Sequence, residues 1–310
     1  MGMAPSTVDD MKSKINNVID TWIDENLGKK VGDTSDVDIG VEMQKATVYS
    51  IGKIAFGYDF SKEEQEETLQ KLMKTTYEFG IECEKNPLRK NSILGLLWAA
   101  KREATACVKD LRSLLGKVLE THRSKSMEEQ KKAVALDGLN TPGKYEAFGG
   151  DEGLISDMLL LYAAGFDTTG YTISYALLEL AKNPDIQKQL REELRGKDML
   201  ETPLLKRVVK ETLRLWPVAA GGGLRQIPED MVVSSDDGKG GKRLMTLPKN
   251  SVAHIASFCV LRDKEVYDRA DEWIPSRWEK PTEDMKTAFV PFMAGRRSCP
   301  GQLLALTESE

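Results

Sequence analysis

Residues 289–302 read FVPFMAGRRSCPGQ and place Cys299 between a pair of arginines and a proline–glycine step. A thiol acts as a ligand or nucleophile in its thiolate form, which a nearby guanidinium such as that of Arg297 stabilises. Gly295 and Gly301 lack a Cβ, so the backbone near the cysteine can turn tightly or let a flat ligand approach. Together these residues predict a functional thiolate loop rather than a surface turn with an incidental cysteine.

The composition excludes several classes of protein. The 310 residues carry 44 basic and 49 acidic side chains, and this net charge of −5 does not predict a nucleic-acid partner. Four scattered cysteines are too few for a disulfide framework, which fits a reducing compartment. Two histidines and no C-x-x-C pair give little support to a structural zinc site.

The longest apolar run, residues 158–166, is about half as long as a membrane-spanning helix requires. The chain also opens without the basic and apolar leader of a secreted protein. We therefore expect this chain itself to be soluble and cytoplasmic.

The first half of the chain predicts amphipathic helices followed by a loop. Apolar residues at helical spacing and polar caps predict helices over residues 6–27, 41–60, 61–83 and 99–125. Residues 126–150 are polar and glycine-rich, which predicts a loop between these helices and the following part of the chain.

The second half predicts helices and then short strands. Residues 153–180 form a helix that is apolar nearly all round, so we expect it to lie inside the protein. A helix restarts at Pro184, and another ends before Pro217. Beyond these helices the pattern predicts strands over 231–235, 242–248 and 251–260, with a hairpin loop over 234–241. The expected fold class is mainly α with a small β-sheet (α+β).

The stretch AAGFDTTG, residues 163–170, is unusual inside an apolar helix because glycine is unfavourable there and Asp167 must lose water. The Thr168 hydroxyl can bond back to the carbonyl of Ala164 and open the helix for a small molecule. An acid beside an alcohol is also a plausible proton-delivery pair. The alternative is a helix that simply begins at Asp167.

Two further motifs contain paired charges. Glu211 and Arg214 stand at i and i+3 on a helix, a spacing that usually gives a solvated ion pair. Arg277 lies in WIPSRW beside tryptophans, where an arginine is more often stacked or buried. Arg277 could close a triad with the other two residues.

The order of these motifs resembles the cytochrome P-450 family. FMAGRRSCPG matches the haem-binding pattern F-x-x-G-x-R-x-C-x-G at Phe292, Gly295, Arg297, Cys299 and Gly301, which is a highly specific signature. AGFDTT is similar to the oxygen-binding groove of the long central helix, ETLR to the E-x-x-R helix, and WIPSRW to the P-x-R-W segment.

The resemblance implies a haem b cofactor, iron protoporphyrin IX, with Cys299 as its axial thiolate ligand. Arg297 would pair with a haem propionate, and so would Arg225 in the GLRQIPED segment. Both arginines would therefore bind the anionic edge of the cofactor.

On the oxygen side of the haem, the resemblance places Ala164, Gly165 and Thr168. Asp167 and Thr168 would pass protons during oxygen activation. Asp167 and Thr168 would therefore act in catalysis, while Ala164 and Gly165 would contribute to binding the cofactor.

Structural roles are implied for Glu211, Arg214 and Arg277, which would lock the core behind the cysteine loop. The chain would be a single partial domain over 1–310. From the start of the chain, its parts would be a helical part and loop over 1–150, the central and E-x-x-R helices over 151–220, and a small sheet with the cysteine loop over 221–310.

Members of this family are longer at both ends than the stretch of residues seen here. We therefore expect the 310 residues alone to keep much helix but to bind haem weakly or not at all. Any membrane association would require a segment outside this chain, and the full-length parent, if eukaryotic, would lie on the cytosolic face of the endoplasmic reticulum membrane.

The implied function is that of a haem-thiolate monooxygenase. It would insert one oxygen atom of O2 into a lipophilic organic substrate, with electrons from NADPH through a partner reductase or a ferredoxin-type donor. Two alternatives stay open: a non-catalytic relic without a complete haem site, and a helical interaction module without a cofactor.

Overall fold

The structure is a computed structural model that describes residues 5–28, 36–91, 93–195, 202–236 and 241–310. These residues are mainly helical with small antiparallel sheets, so the expected fold class is confirmed. The chain divides into two compact units, considered separately below. Their bounds are Met1–Ser174 with Leu303–Ser309 for the first unit, and Tyr175–Gln302 with Glu310 for the second.

The helices that begin in the first unit include all those expected from the first half of the sequence. In chain order they are α1 (Pro5–Trp22), α2 (Ile39–Ala55), α3 (Lys62–Tyr77), α4 (Cys83–Lys85), α5 (Pro87–Lys90), α6 (Ala99–Ser124), α7 (Met127–Gln130), α8 (Val134–Leu139) and α9 (Asp151–Lys182). Wider π-helical turns extend α1 over Ile23–Leu27 and α3 over Glu78–Glu82.

Polar caps fix where two of these helices begin. The Asp38 carboxylate accepts hydrogen bonds from the N–H groups of Gly40 and Val41, so α2 starts two residues earlier than the sequence predicted. Ser61 and Glu64 form a reciprocal capping box at the start of α3.

The prediction of a loop over 126–150 is wrong in part, because α7 and α8 lie within it. Ser126 and Glu129 form a second capping box, which starts α7. Ala133 and Leu136 are buried in the apolar core, and this burial stabilises helix in a polar, glycine-rich segment.

The main core of the first unit lies where α2, α3, α6 and α9 pack together. Its fully buried aromatic and aliphatic side chains include Ile51, Phe56, Leu72, Leu111, Leu115, Leu154, Tyr162 and Phe166. Because α9 supplies the last three of these residues, this core fixes the position of the helix that contains the AAGFDTTG stretch.

The second unit contains two separate two-stranded sheets rather than the single small sheet expected. Its helices are α10 (Pro184–Leu194), α11 (Pro203–Leu215), α12 (Ser257–Val260) and α13 (Glu283–Ala288), and α14 (Gln302–Ser309) continues into the first unit. Its strands are β1 (Gly223–Gln226), β2 (Met231–Asp236), β3 (Lys242–Leu247) and β4 (Val252–Ile255). The expected hairpin is confirmed, because β2 pairs antiparallel with β3. Strand β1 pairs antiparallel with β4.

The strand predicted over 251–260 has four residues rather than the ten expected. Strand β4 ends at Ile255, and the chain then turns into the short helix α12, in which the Leu261 N–H donates to the carbonyl of Ser257 at 2.9 Å. Strand β1 was missed because its four residues, GLRQ, show no alternation of apolar and polar side chains.

Helix α14 places the Glu308 carboxyl against α2, where it accepts a hydrogen bond from Ser50 Oγ at 2.5 Å. Burial raises the pKa of Glu308 to about 7, although this hydrogen bond favours the ionised form. The folded protein therefore holds the proton more tightly than the unfolded chain does. The contribution of protonated Glu308 to the stability of the fold is full below about pH 4.5 and is lost as the pH rises through about 7.

We expect the free energy of unfolding to fall by up to about 3 kcal/mol over this pH range because of Glu308. Urea denaturation at several pH values, compared between the parent and Glu308→Gln, isolates this contribution from that of other carboxyl groups. An identical decrease with pH in both proteins would show that Glu308 does not titrate in this range.

Candidate functional site

The cysteine loop, residues 289–302, closes on itself through backbone hydrogen bonds. The Cys299 N–H donates to the carbonyl of Phe292 at 2.9 Å, and the Ser298 N–H donates to Gly295 at 3.1 Å across a short 3-10 turn. Cys299 is a free cysteine with an exposed side chain. The loop therefore presents an accessible thiol on a backbone fixed by its own hydrogen bonds.

Only one of the two glycines predicted to let this loop turn has a backbone that requires glycine. Gly295 has a φ of +72°, in the left-handed region. A Cβ placed on Gly301 would meet Cys299 Sγ at 3.9 Å, an ordinary contact distance. Gly301 therefore keeps the surface beside the sulfur clear, while Gly295 makes the turn.

The arginines of the loop do not contact the sulfur as the sequence suggested. In the described residues, neither Arg296 nor Arg297 forms an ion pair or a side-chain hydrogen bond, and both are exposed. On strand β1, Arg225 is half-buried, and its Nη1 donates to the neighbouring carbonyl of Leu224 at 2.8 Å. None of these three guanidinium groups has a carboxylate partner here, so all could bind an anionic ligand.

Helix α9 runs without a break through the AAGFDTTG stretch. It begins at Asp151, so the alternative of a helix that starts at Asp167 is wrong. The predicted hydrogen bond from Thr168 Oγ1 to the Ala164 carbonyl is present at 2.8 Å. The helix stays α-helical around it, so this hydrogen bond does not open the helix as the sequence analysis proposed.

Close packing against α2 explains the glycines in this stretch. A Cβ on Gly165 would come within 2.7 Å of Ile51 Cδ1, and one on Gly170 within 3.1 Å of the Gln44 backbone. Both glycines therefore let the two helices approach, and this contact offsets their cost in the helix interior. No local pattern predicts this role, because α2 lies more than 100 residues earlier in the chain.

Asp167 is half-buried and accepts a hydrogen bond from Gln44 Nε2 at 2.6 Å. Burial raises the pKa of Asp167 above its usual range, while the hydrogen bond from Gln44 acts in the opposite direction. A carboxyl of raised pKa keeps its proton to a higher pH than an exposed aspartate does, which suits a proton donor next to Thr168 in the sequence. Gln44 was not predicted, since no local pattern marks it.

The expectation that α9 lies wholly inside is wrong for one of its faces. Leu154, Met158, Tyr162 and Phe166 follow each other at intervals of four and are fully buried. Leu160 is 66% exposed, and Ala164, one turn further along, is exposed as well. The face that contains Ala164 and Thr168 is therefore accessible to a ligand within the first unit.

Glu211 is completely buried and accepts five hydrogen bonds. Arg214 Nε and Nη2 each donate to it at 2.9 Å, and Arg277 Nε donates at 2.9 Å, which confirms the predicted contact among the three residues. The Trp278 indole N–H and the Ile274 backbone N–H supply the other two, both at 2.8 Å.

The remaining donors of Arg214 bind the backbone of the segment after β4. Its Nη1 donates to the carbonyls of Leu261 and Ala270, and its Nη2 donates to that of Glu272. The side chains of Glu211 and Arg214 are both 0% exposed, so they do not form the solvated ion pair that this spacing usually gives. This hydrogen-bond network joins α11 to the WIPSRW segment in the second unit.

The residues present fit a haem-thiolate group. Such a group needs a free thiol to bind iron and cations to bind its two carboxylates. The cysteine loop supplies an exposed thiol, and Arg297 and Arg225 supply guanidinium groups that pair with no carboxylate of the described residues. Within the described ranges, no helix is long and apolar enough to cross a membrane.

The chain belongs to the cytochrome P450 family, whose model matches residues 4–310. The chain is 30% identical over 217 residues to the mitochondrial sterol 26-hydroxylase of Rattus norvegicus, a match that covers 63% of this chain and 39% of the relative. It is 32% identical over 197 residues to the mitochondrial cholesterol side-chain cleavage enzyme of Oncorhynchus mykiss, covering 55% of this chain and 35% of the relative.

A solved structure shows the same fold. The crystal structure of a cytochrome P450, CYP102L1, has a TM-score of 0.71 at 22% identity and covers 96% of this chain and 64% of that chain. The matches span between 29% and 39% of the length of the curated relatives. Since both sterol-related relatives are named as mitochondrial, the comparisons do not support the placement at the endoplasmic reticulum.

Proposed function

We propose that the protein is a haem-thiolate monooxygenase that inserts one oxygen atom of O2 into a lipophilic organic substrate. Haem b would be its cofactor, and NADPH would supply electrons through a reductase or a ferredoxin-type donor. Membership of the cytochrome P450 family supports this class of reaction. The names of two relatives refer to a sterol and to cholesterol, which supports a lipophilic substrate.

The observation that carries the proposal is the exposed Cys299 thiol on a loop closed by its own backbone hydrogen bonds. Cys299 would bind the haem iron as a thiolate, and Arg297 and Arg225 would bind the propionates. Phe292 would lie along the porphyrin, next to the turn at Gly295. When bound, haem supplies the centre at which O2 is activated.

Residues on the accessible face of α9 would manage water and protons. Ala164 is exposed and small, so it would leave room for O2 and substrate. Asp167, with its raised pKa, would hold a proton, and the Thr168 hydroxyl would relay it. Gly165, which packs against Ile51, would also let the helix backbone lie close to the oxygen side of the haem.

An isotope experiment tests the reaction class directly. Haem-loaded protein, an NADPH-dependent reductase system and a panel of sterols and fatty acids are incubated under 18O2. We expect a product with one atom of 18O, with the second atom in water. A full thiolate spectrum without any labelled product would contradict the proposed reaction, whereas failure to form a thiolate haem complex would favour the relic without a complete haem site or the interaction module.

Thr168→Ala is expected to leave haem binding unchanged and to lower the ratio of product to NADPH consumed. The hydroxyl is proposed to move a proton, and without it reducing equivalents go to peroxide instead of product. We expect this ratio to fall by at least about tenfold, since a positioned proton-transfer group typically contributes about 10²–10⁴-fold to a rate. Product and peroxide are both quantified against NADPH.

The matched control is Thr172→Ala, because Thr172 bonds back to the Thr168 carbonyl at 2.8 Å in the same way, one turn along α9. We expect this variant to keep the parent ratio. Equal ratios in the parent and Thr168→Ala would show that the Thr168 hydroxyl only satisfies the helix backbone.

A further inference from the structure

Met293 occupies an unusual backbone position in the cysteine loop. Its φ is +60°, in the left-handed region that glycine adopts readily and that a long side chain seldom adopts. Its N–H donates to the Val290 carbonyl at 3.1 Å, and the preceding residue, Phe292, provides the carbonyl that accepts the Cys299 N–H. Such a conformation persists where surrounding contacts hold it.

The side chain of Met293 is held at both its sulfur and its terminal methyl. Ser257 Oγ donates to Met293 Sδ at 3.7 Å, and Ser257 is only 2% exposed. A Cβ on Gly223 would lie 2.7 Å from Met293 Cε, so the methyl occupies space that any other residue at 223 would need. The methionine therefore contacts both the start of β1 and the start of α12.

The same glycine lies beside the arginine proposed to bind a propionate. A Cβ on Gly223 would also lie 3.2 Å from Arg225 Nη1. The Met293 methyl and the Arg225 guanidinium therefore share the surface that Gly223 leaves open. Through the Met293 side chain, the cysteine loop is therefore in contact with the part of β1 that holds Arg225, within the second unit.

We propose that Met293 is a positioning residue for the thiolate ligand. Its side chain, packed on Gly223 and hydrogen-bonded by Ser257, holds the cysteine loop against β1, so that Cys299 and Arg225 are set in place together before haem binds. The role of Cys299 as ligand rests on the proposed function. The restraint on the loop itself does not, because it depends only on contacts among protein residues.

Amide hydrogen exchange in the chain without haem tests the restraint. In Met293→Gly the backbone strain is relieved while the side-chain contacts are lost, so we expect exchange at the Cys299 N–H to rise by about tenfold or more. Met293→Leu fills the space at Gly223 again and should recover most of the protection. Leu224→Ala is the matched control, since this neighbour on β1 is 65% exposed.

A spectroscopic measurement separates positioning from general stability. With haem bound, Met293→Gly is expected to show at least about a twofold smaller fraction of the thiolate-type spectrum in the reduced carbon monoxide complex, at unchanged haem content and unfolding midpoint. Unchanged exchange at Cys299 in Met293→Gly would overturn the proposal. So would a loss of exchange protection that Met293→Leu fails to recover.

The same two measurements distinguish this proposal from the proposed function. If Cys299→Ser kept the thiolate-type spectrum, the proposed function would fail, while the exchange experiment would still report whether Met293 restrains the loop. If Met293→Gly exchanged like the parent, the restraint would fail, and the ligand assignment would be unaffected.

Discussion

Glu211→Ala is expected to lower the free energy of unfolding by about 3–5 kcal/mol, because it leaves the guanidinium of Arg214 buried without its counter-charge. The Glu211 carboxylate accepts both donors of the Arg214 fork and one from Arg277. All of these atoms lie away from water, so none can be solvated instead without local unfolding. Such a loss is a large share of the 5–15 kcal/mol that typically stabilises a folded protein.

Urea denaturation followed by circular dichroism measures this effect. Glu283→Ala is the matched control, because Glu283 pairs with Lys286 at the same i, i+3 spacing in an exposed position. We expect little change in the control, since exposed ion pairs contribute little. A change in Glu211→Ala no larger than in Glu283→Ala would show that the buried network adds nothing to stability.

Cys299→Ser is expected to abolish the thiolate-type spectrum of the reduced carbon monoxide complex in the haem-loaded protein. A serine hydroxyl stays protonated near neutral pH, so it cannot supply the electron-rich sulfur ligand that defines this class of haem protein. Monooxygenase activity should be lost with the spectrum. Absorption spectra of the parent and the variant at equal haem content measure the effect.

Cys259 provides the control for this substitution. It is a second exposed free cysteine in the same unit, and it lies outside the cysteine loop. Cys259→Ser should keep the parent spectrum. Loss of the thiolate band in both variants would indicate a general effect of removing exposed thiols rather than loss of the ligand.

Local patterns were sufficient to predict most helices, one hairpin and two side-chain hydrogen bonds. Three features follow from residues close in sequence: the pairing of Glu211 with Arg214 at i, i+3, the hydrogen bond from Thr168 to Ala164, and the β2–β3 hairpin. Each depends on geometry that a short stretch of chain determines by itself.

Features that depend on distant contacts could not be predicted. The buried carboxylate of Glu211 is stabilised by hydrogen bonds from Arg277 and Trp278, which lie more than 60 residues later in the chain. The raised pKa of Asp167 depends on its burial, and the hydrogen bond from Gln44, 123 residues earlier, opposes that shift. The side-chain contacts of Met293 involve Gly223 and Ser257, and no motif marks that pairing.

X-ray absorption at the iron edge of the haem-loaded protein tests most directly whether Cys299 binds haem, since this method detects the atoms bonded to iron. We expect a sulfur neighbour of the iron in the parent and in Cys259→Ser, and none in Cys299→Ser. An iron bonded only to nitrogen and oxygen in the parent, with haem fully bound, would contradict the assignment of this chain as a haem-thiolate protein.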